Sequence, residues 1–404
     1  MLKDRRERSG LTQSTAASRL GVKRATFTQW ESARHLPAMA RVHELDRLLN
    51  ADGDLVAAAE RARGEPRLQA VASETATAPD AARSLLQVFK DTRKAFLAQL
   101  CEDRRGRPGW RHNLVPSDES PSTLSTAYGL GVLAMLGGPD ANTPAVVDNV
   151  LERAYRDDGG RLVGWKARTQ HGPRLETTST AIDALQRAGV PIAVDDVLRM
   201  VRNLLDESAR ERPFVLTTAL RPVLRVAPDS TLARELVGAL LDARIDVDGM
   251  RLWPEKRLGR QQLLLDPSVV HTARAVTVLR DAPGELVGEA VEVAEQWLAG
   301  TENLGGVTEI IRRREGPEGR EEFTLDHFTS AWVARALAGS AHPDRRRITH
   351  VLKFVWERYD PQHHFWAWGN GDVPVWMLGD AVAALQETAF ALRDAPGPPT
   401  SDSN

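Results

Sequence analysis

Cysteine is nearly absent from this sequence: Cys101 is the single thiol in 404 residues. One sulfur makes no internal disulfide and no multi-cysteine zinc site, which suits a reducing compartment, and a buried inert thiol is its expected role. Long hydrophobic runs are missing too. No apolar stretch approaches the roughly eighteen residues of a membrane span, and the basic start MLKDRRERSG is not followed by the apolar core of a secretory signal. A cytoplasmic protein without a membrane partner is therefore expected. Tyrosine and phenylalanine are scarce, so aromatics total 5%, yet ten of them are tryptophan. That bias needs an explanation from the fold. The length exceeds what one hydrophobic core usually spans, which predicts more than one domain.

Net charge is only -2, but it is unevenly spread. Residues 1–41 hold nine Lys/Arg (Lys3, Arg5, Arg6, Arg8, Arg19, Lys23, Arg24, Arg34, Arg41) against three acids (Asp4, Glu7, Glu31). This is a surplus of six positive charges, leaving the remaining chain at -8. A basic head on an acidic body is expected when only one domain meets phosphates.

The head reads as short helices. Leu2 to Arg8 predicts the first, and Thr12 is placed to N-cap a second that carries Gln13 in its first turn and Ala16, Ala17 and Leu20 on its inner face. Gly21 and Val22 make the turn, as a residue tolerating left-handed backbone and an apolar plug would. A third helix over about 23–32 directs Phe27 and Trp30 inward and Arg24, Ala25, Thr28 and Gln29 outward. Two helices joined by a glycine turn, the second exposing polar side chains, make a major-groove reader.

These residues resemble the lambda-repressor-like family of Cro/C1 or XRE type. The matching run is Leu11-Thr12-Gln13, Ala16, Leu20-Gly21-Val22, Thr26-Phe27, Trp30-Glu31, Leu36-Pro37 and the ladder Val42, Leu45, Leu48 and Leu49. The resemblance implies a five-helix bundle, its fifth helix over 55–61. It puts Arg24, Ala25 and Gln29 at base-reading positions and Gln13, Thr26 and Arg34 against the DNA backbone, with Lys23 and Thr28 on the same face. Arginine pairs bidentately with guanine and glutamine with adenine, which gives these roles a chemical basis. Lys23 departs from the family's usual Ser or Thr cap, and Ala33 from its usual Gly. The resemblance further implies a homodimer on double-stranded DNA. Its contact could come from a connecting helix at 82–104, unless that helix simply packs on the next domain.

Residues 64–81 are poor in large apolar side chains and read as a linker, and 393–404 as a disordered tail. Between them a short motif recurs: Ser125-Thr126-Ala127, Ser179-Thr180-Ala181, Thr217-Thr218-Ala219, His271-Thr272-Ala273, Thr329-Ser330-Ala331 and Gly379-Asp380-Ala381. A second helix and a Gly- and Trp-bearing turn follow most copies. A period near fifty residues with two helices per unit marks a helical array. The whole chain is thus expected to be all-α: the five-helix head, then an alpha/alpha toroid of about six helix pairs over 105–392, with an open solenoid as the alternative. The Gly-Trp turns and Thr-Ala starts resemble the toroid repeats of terpene cyclases and protein prenyltransferases.

The chemistry of those relatives is not evident. There is no DxDD acid and no zinc-binding cysteine, so no catalytic residue, metal or cofactor is assigned. Glu176, Asp266, Asp326 and Asp372 lie near inner-helix starts, where a hydrolase would need a facing pair of carboxylates. His271, Asp326 and His327 would meet at the same rim, as a metal cluster or as helix caps and hydrogen-bonding partners. Trp165, Trp332, Trp366 and Trp376 serve either as repeat anchors or, with Glu176, His271, Asp326 and His327, as the lining of an apolar pocket. These patterns predict a sequence-specific transcriptional regulator whose toroid senses a small apolar ligand. A DNA-tethered protein-interaction module and an enzyme with a DNA-binding head remain open.

Overall fold

The computed structural model describes residues 2–20, 22, 24–31, 39–49, 51, 54–55, 78–114, 120–166, 172–256, 266–316 and 319–394. The chain divides into two compact units, residues 1–81 with 368–371, and residues 82–367 with 372–404.

In the first unit, α1 (Leu2–Arg8), α2 (Gln13–Arg19), α3 (Arg24–Glu31) and α4 (Met39–Leu48) follow the expected order. Thr12 caps α2, its hydroxyl accepting from the Thr15 backbone N–H. Ala16, Ala17, Leu20, Phe27, Trp30, Val42, Leu45, Leu49 and Leu55 form one buried core. Asp54 and Leu55 are helical, and the rest of the expected fifth helix lies outside the described residues.

The second unit is built on six inner helices: α6 (Thr123–Met135), α8 (Leu175–Arg187), α11 (Pro213–Val226), α13 (Val269–Leu279), α15 (Thr329–Ala338) and α17 (Val375–Asp394). Each packs on the next and α17 packs back on α6, so the ring is closed. An open solenoid is excluded by that last contact. Outside it run α5 (Ala78–Ala98), α7 (Thr143–Glu152), α9 (Val194–Leu204), α12 (Thr231–Asp242), α14 (Glu285–Gly300) and α16 (Arg345–Trp356), with the single turn α10 (Glu207–Arg210) leading into α11. The ring helices crowd one another, which explains the small Thr-Ala and Ser-Thr-Ala starts: Ala127, Ala181, Ala219, Ala273 and Ala331 are fully buried. The helix expected at 82–104 ends at Ala98 and packs on this body. Its Phe96 stacks on Trp110, ring centroids 4.6 Å apart, and Arg93 donates to the carbonyls of Leu136 and Gly138.

Strands occur only as two-stranded antiparallel ribbons among the described residues. Four are short: β1 (Cys101–Glu102) with β2 (Pro108–Gly109), β3 (Tyr155–Arg156) with β4 (Leu162–Gly164), β5 (Ile245–Val247) with β6 (Met250–Leu252), and β9 (Tyr359–Asp360) with β10 (Phe365–Trp366). Three of these end on a tryptophan whose indole N–H donates to a carbonyl of the preceding outer helix. Trp110 reaches Phe96 (3.1 Å), Trp165 reaches Val150 (2.7 Å) and Trp253 reaches Leu240 (2.7 Å). The next inner helix grips the same turn: Thr178 and Thr272 hydroxyls accept from the backbone N–H of Trp165 and Trp253, and Ser125 donates to the Trp110 carbonyl. Much of the tryptophan excess is therefore explained by a repeated anchor that fills core volume and satisfies both of its polar ends. The fifth ribbon differs. β7 (Val307–Gly316) and β8 (Gly319–His327) form a long hairpin between α14 and α15, where a tryptophan turn would stand. Cys101, expected to be buried, is half-buried in β1 because a two-residue edge ribbon leaves it partly open. No helix of the described residues is long and apolar enough to cross a membrane.

Candidate functional site

The first site is the outward face of α3. Arg24 and Thr28 are exposed one turn apart while Phe27 and Trp30 are buried behind them. Glu31, at the end of the same helix, accepts from Arg6 Nε (2.5 Å) and Gln13 Nε2 (2.6 Å). This largely buried carboxylate ties α1, α2 and α3 together and fixes the angle at which α3 is presented. That role was not legible in the sequence, where Glu31 reads as an ordinary surface residue at a helix end. Gln13 is thus committed inside the domain as well as facing the expected phosphates, and its Oε1 also accepts from Thr28 (3.4 Å). Ala25, Thr26 and Gln29 lie on α3, with side chains outside the description, and Lys23 and Arg34 fall outside the described residues.

The second site lies at the centre of the ring, where a cavity of about 160 Å³ opens between the inner helices. Asp326, His327, Trp332 and Trp376 line it, as do four arginines and three further acids that were not selected from the sequence. Three guanidinium groups surround the Trp332 indole: Arg274 at 4.1 Å, Arg335 at 4.4 Å and Arg221 at 5.1 Å from its centroid. Such contacts use the negative face of the ring to hold cations. Two of the three have carboxylate partners. Arg335 is held by Glu387 through bonds of 2.7 and 3.0 Å, and Arg221 lies 3.9 Å from Asp183, which also binds Arg187 and Arg225.

Arg274 is the exception. It has no carboxylate within 4.0 Å among the described residues, its Nε has no hydrogen-bond partner, and one terminal nitrogen reaches the Thr218 hydroxyl at a long 3.4 Å. It is 8% exposed, and burial lowers its pKa from the usual arginine value. The Asp380 carboxylate is occupied by the Trp332 indole N–H at 2.8 Å, and burial pushes its pKa up. Buried charge without a carboxylate partner is costly, and the contacts of Arg274 among the described residues are the Thr218 hydroxyl and the faces of Trp332 and Phe214.

Beside the cavity, the β7–β8 hairpin brings Glu309 and His327 against His271 in the first turn of α13. Glu309 Oε2 lies 3.1 Å from His271 Nε2 and 3.0 Å from His327 Nε2. Its other oxygen faces Arg212 Nη1 at 3.3 Å. Ser268, the N-cap of α13, meets His271 Nδ1 at 2.7 Å. Burial alone would raise the Glu309 pKa, but hydrogen bonds from the two imidazoles outweigh it and hold the carboxyl at about 2. Burial lowers His327 to about 4. At neutral pH the group therefore holds a carboxylate and a neutral His327.

Four residues expected at the pocket do not line it. Trp165 is an anchor fully enclosed behind β4. Trp366 is buried beside Trp356 and Tyr359 under α16. Glu176 opens α8 onto a separate cleft near Arg174, Asp206 and Arg212. In each case the residue lies at the turn end of its repeat, and the cavity is lined by positions one to two turns further along the inner helices. His271 contributes through Glu309 rather than to the cavity wall.

Residues 1–59 match the model of a family described as a helix-turn-helix domain. The N-terminal unit is a helix-turn-helix domain. No curated protein sequence matches the chain. Among solved structures, a protein from Actinoplanes superposes with a TM-score of 0.47 at 17% identity, over 76% of this chain and 99% of the other. A type II terpene cyclase from Scytonema, in complex with its product merosterolic acid A, gives a TM-score of 0.45 at 14% identity, over 76% and 99%. The closed ring behind the helix-turn-helix domain is established by the packing of the chain's own helices.

Proposed function

We propose that this protein is a sequence-specific transcriptional regulator in which α3 enters the major groove and the ring cavity takes a small ligand that alters DNA affinity. Exposed Arg24 and Thr28 on a rigidly braced third helix support the first half, since direct readout needs polar side chains held at a fixed angle. Buried Arg274 carries the second. It changes the ligand expected from sequence: the wall offers a guanidinium without a carboxylate partner among the described residues, and the Trp332 and Phe214 rings, so the ligand has a carboxylate or phosphate on a short apolar or flat body. The size is limited as well, because about 150 Å³ is the scale of an engineered cavity that admits benzene. Two chains are expected on each operator, one per half-site.

Coupling requires that the ligand bind the DNA-competent and incompetent states with different affinity. The test is equilibrium binding to DNA from upstream of the protein's own gene, with a panel of small carboxylates and phosphates, for the wild type and Arg274→Met. One panel member should shift wild-type affinity at least fivefold and leave the variant unmoved. Binding that no anion shifts would refute the sensing role.

A further inference from the structure

The His271, Glu309 and His327 cluster beside the cavity has a geometry more specific than a hydrogen-bonded group requires. We propose that it is a binding site for a divalent first-row transition ion, with zinc as its redox-inert representative. The donor set is two imidazoles and one carboxylate, which suits zinc, iron or nickel rather than magnesium or calcium. The three donor atoms lie within 4.8 Å of one another. Donors around an ion bound at about 2.1 Å stand about 3.0–3.4 Å apart, and the two nitrogen-to-oxygen separations are already 3.1 and 3.0 Å. Closing the set requires the imidazoles to move less than about 1 Å towards a common centre.

Two features favour an ion over a purely hydrogen-bonded cluster. Both imidazoles converge on the same carboxylate oxygen, Oε2, while among the described residues Oε1 faces only Arg212. Two separate N–H donors would be better served by one oxygen each, whereas a single cation needs the three donors on one side. The outer partners are also of the kind that orient metal ligands. Ser268 stands on His271 Nδ1, and Arg212 holds Glu309 from behind. Without an ion, the Ser268 hydroxyl donates to Nδ1 and the Nε2–H of His271 donates to Glu309. On ion entry the proton of each neutral ring passes from Nε2 to Nδ1, so that both Nε2 lone pairs face the ion with no net proton release, and at His271 the Ser268 hydroxyl turns to accept from Nδ1–H.

The three groups come from different elements: His271 from α13, Glu309 from β7 and His327 from the end of β8. An ion would clamp the long hairpin onto the ring. Three protein ligands also leave a position open, and His327 borders the central cavity. One carboxylate does not neutralise a divalent ion beside Arg212, so that open position is expected to take an anion.

The experiment is zinc and cobalt titration of the full chain after chelator treatment, followed by calorimetry, metal analysis and the visible absorption of cobalt. One equivalent per chain at micromolar affinity or tighter is expected, with a rise in the Tm of the ring unit. A His271→Gln/His327→Gln double variant should lose at least tenfold in affinity and all of the cobalt absorption of a nitrogen-bound site. Ser268→Ala, which leaves every ligand in place, should weaken binding roughly tenfold and remains informative if the double variant does not fold. No stoichiometric uptake by the wild type would overturn the assignment. Uptake unchanged in the ligand double variant, or unchanged in Ser268→Ala when only that variant folds, would do the same.

Discussion

The tryptophan turns and the β7–β8 hairpin occupy corresponding places between outer and inner helices, yet they are built on opposite principles. At Trp110, Trp165 and Trp253 each indole is enclosed, its N–H meets a helix carbonyl, and a Ser or Thr of the following helix binds its backbone. The hairpin instead carries His327 and an ionised Glu309 into the interior against His271, next to a cavity wall where Arg274 has no carboxylate within 4.0 Å among the described residues. Regularity here goes with stability, and the break in the repeat is where the chemistry gathers. Groups that could bind a ligand or ion are held at a cost that the regular turns offset.

The comparison is sharpest under mutation. Trp253→Ala empties a fully enclosed site and cuts the bond to Leu240, and should lower the stability of the ring by about 3–5 kcal/mol, seen as a fall in the Tm of that unit while the helix-turn-helix unit melts as before. Gly129→Ala comes next. A Cβ there would lie 2.2 Å from the Trp110 ring, and overpacking of this kind costs about 1–3 kcal/mol; a loss well below that in urea melts would show that Trp110 can retreat.

Asp103 tests the same turns through pH. Burial opposes its ionisation, but the Arg107 guanidinium and the backbone N–H groups of Arg105 and Arg107 hold its pKa well below the usual carboxylate range. A folded-state pKa below the unfolded value contributes stability that is present above about pH 4 and lost as the pH falls below it. Asp103→Asn should therefore cost about 1.5 kcal/mol at neutral pH and show a shallower decline in acid than the wild type. The smallest effect is expected with the sign reversed. Arg274→Met replaces a buried charge that has no carboxylate partner among the described residues with a flexible apolar chain of similar length, so without ligand the ring should gain about 1 kcal/mol. A loss instead would make Arg274 part of the scaffold and remove the contrast.

How much of this was legible in the sequence follows the same division. Helical periodicity placed α1 to α3 and the core residues Phe27 and Trp30 closely, because a small bundle buries one face of each helix, and the family resemblance supplied α4. The Thr-Ala starts and Gly-Trp turns disclosed the ring, because crowding and anchoring repeat in every unit. The closed contact between α17 and α6 was only favoured by the count of units. Glu309 was invisible. It lies 38 residues from His271, and nothing local marks one Glu in a charged strand as the one turned inward. Arg221, Arg274 and Arg335 were not singled out, since a closed ring has a second, interior surface that periodicity cannot distinguish from the exterior. Trp165 and Trp366 were credited to a pocket because the sequence marks a large side chain without saying which side of the wall it faces.

The central claim is that the helix-turn-helix unit reads a DNA sequence, and the most direct measurement is equilibrium binding of the full chain to its upstream region against competitor DNA over a salt series. The wild type should prefer a specific fragment at every salt concentration, and Arg24→Ala with Gln29→Ala should lose that preference while keeping salt-dependent binding to phosphates. A wild type that binds no sequence better than competitor DNA, or a double variant that keeps the full preference, would contradict it.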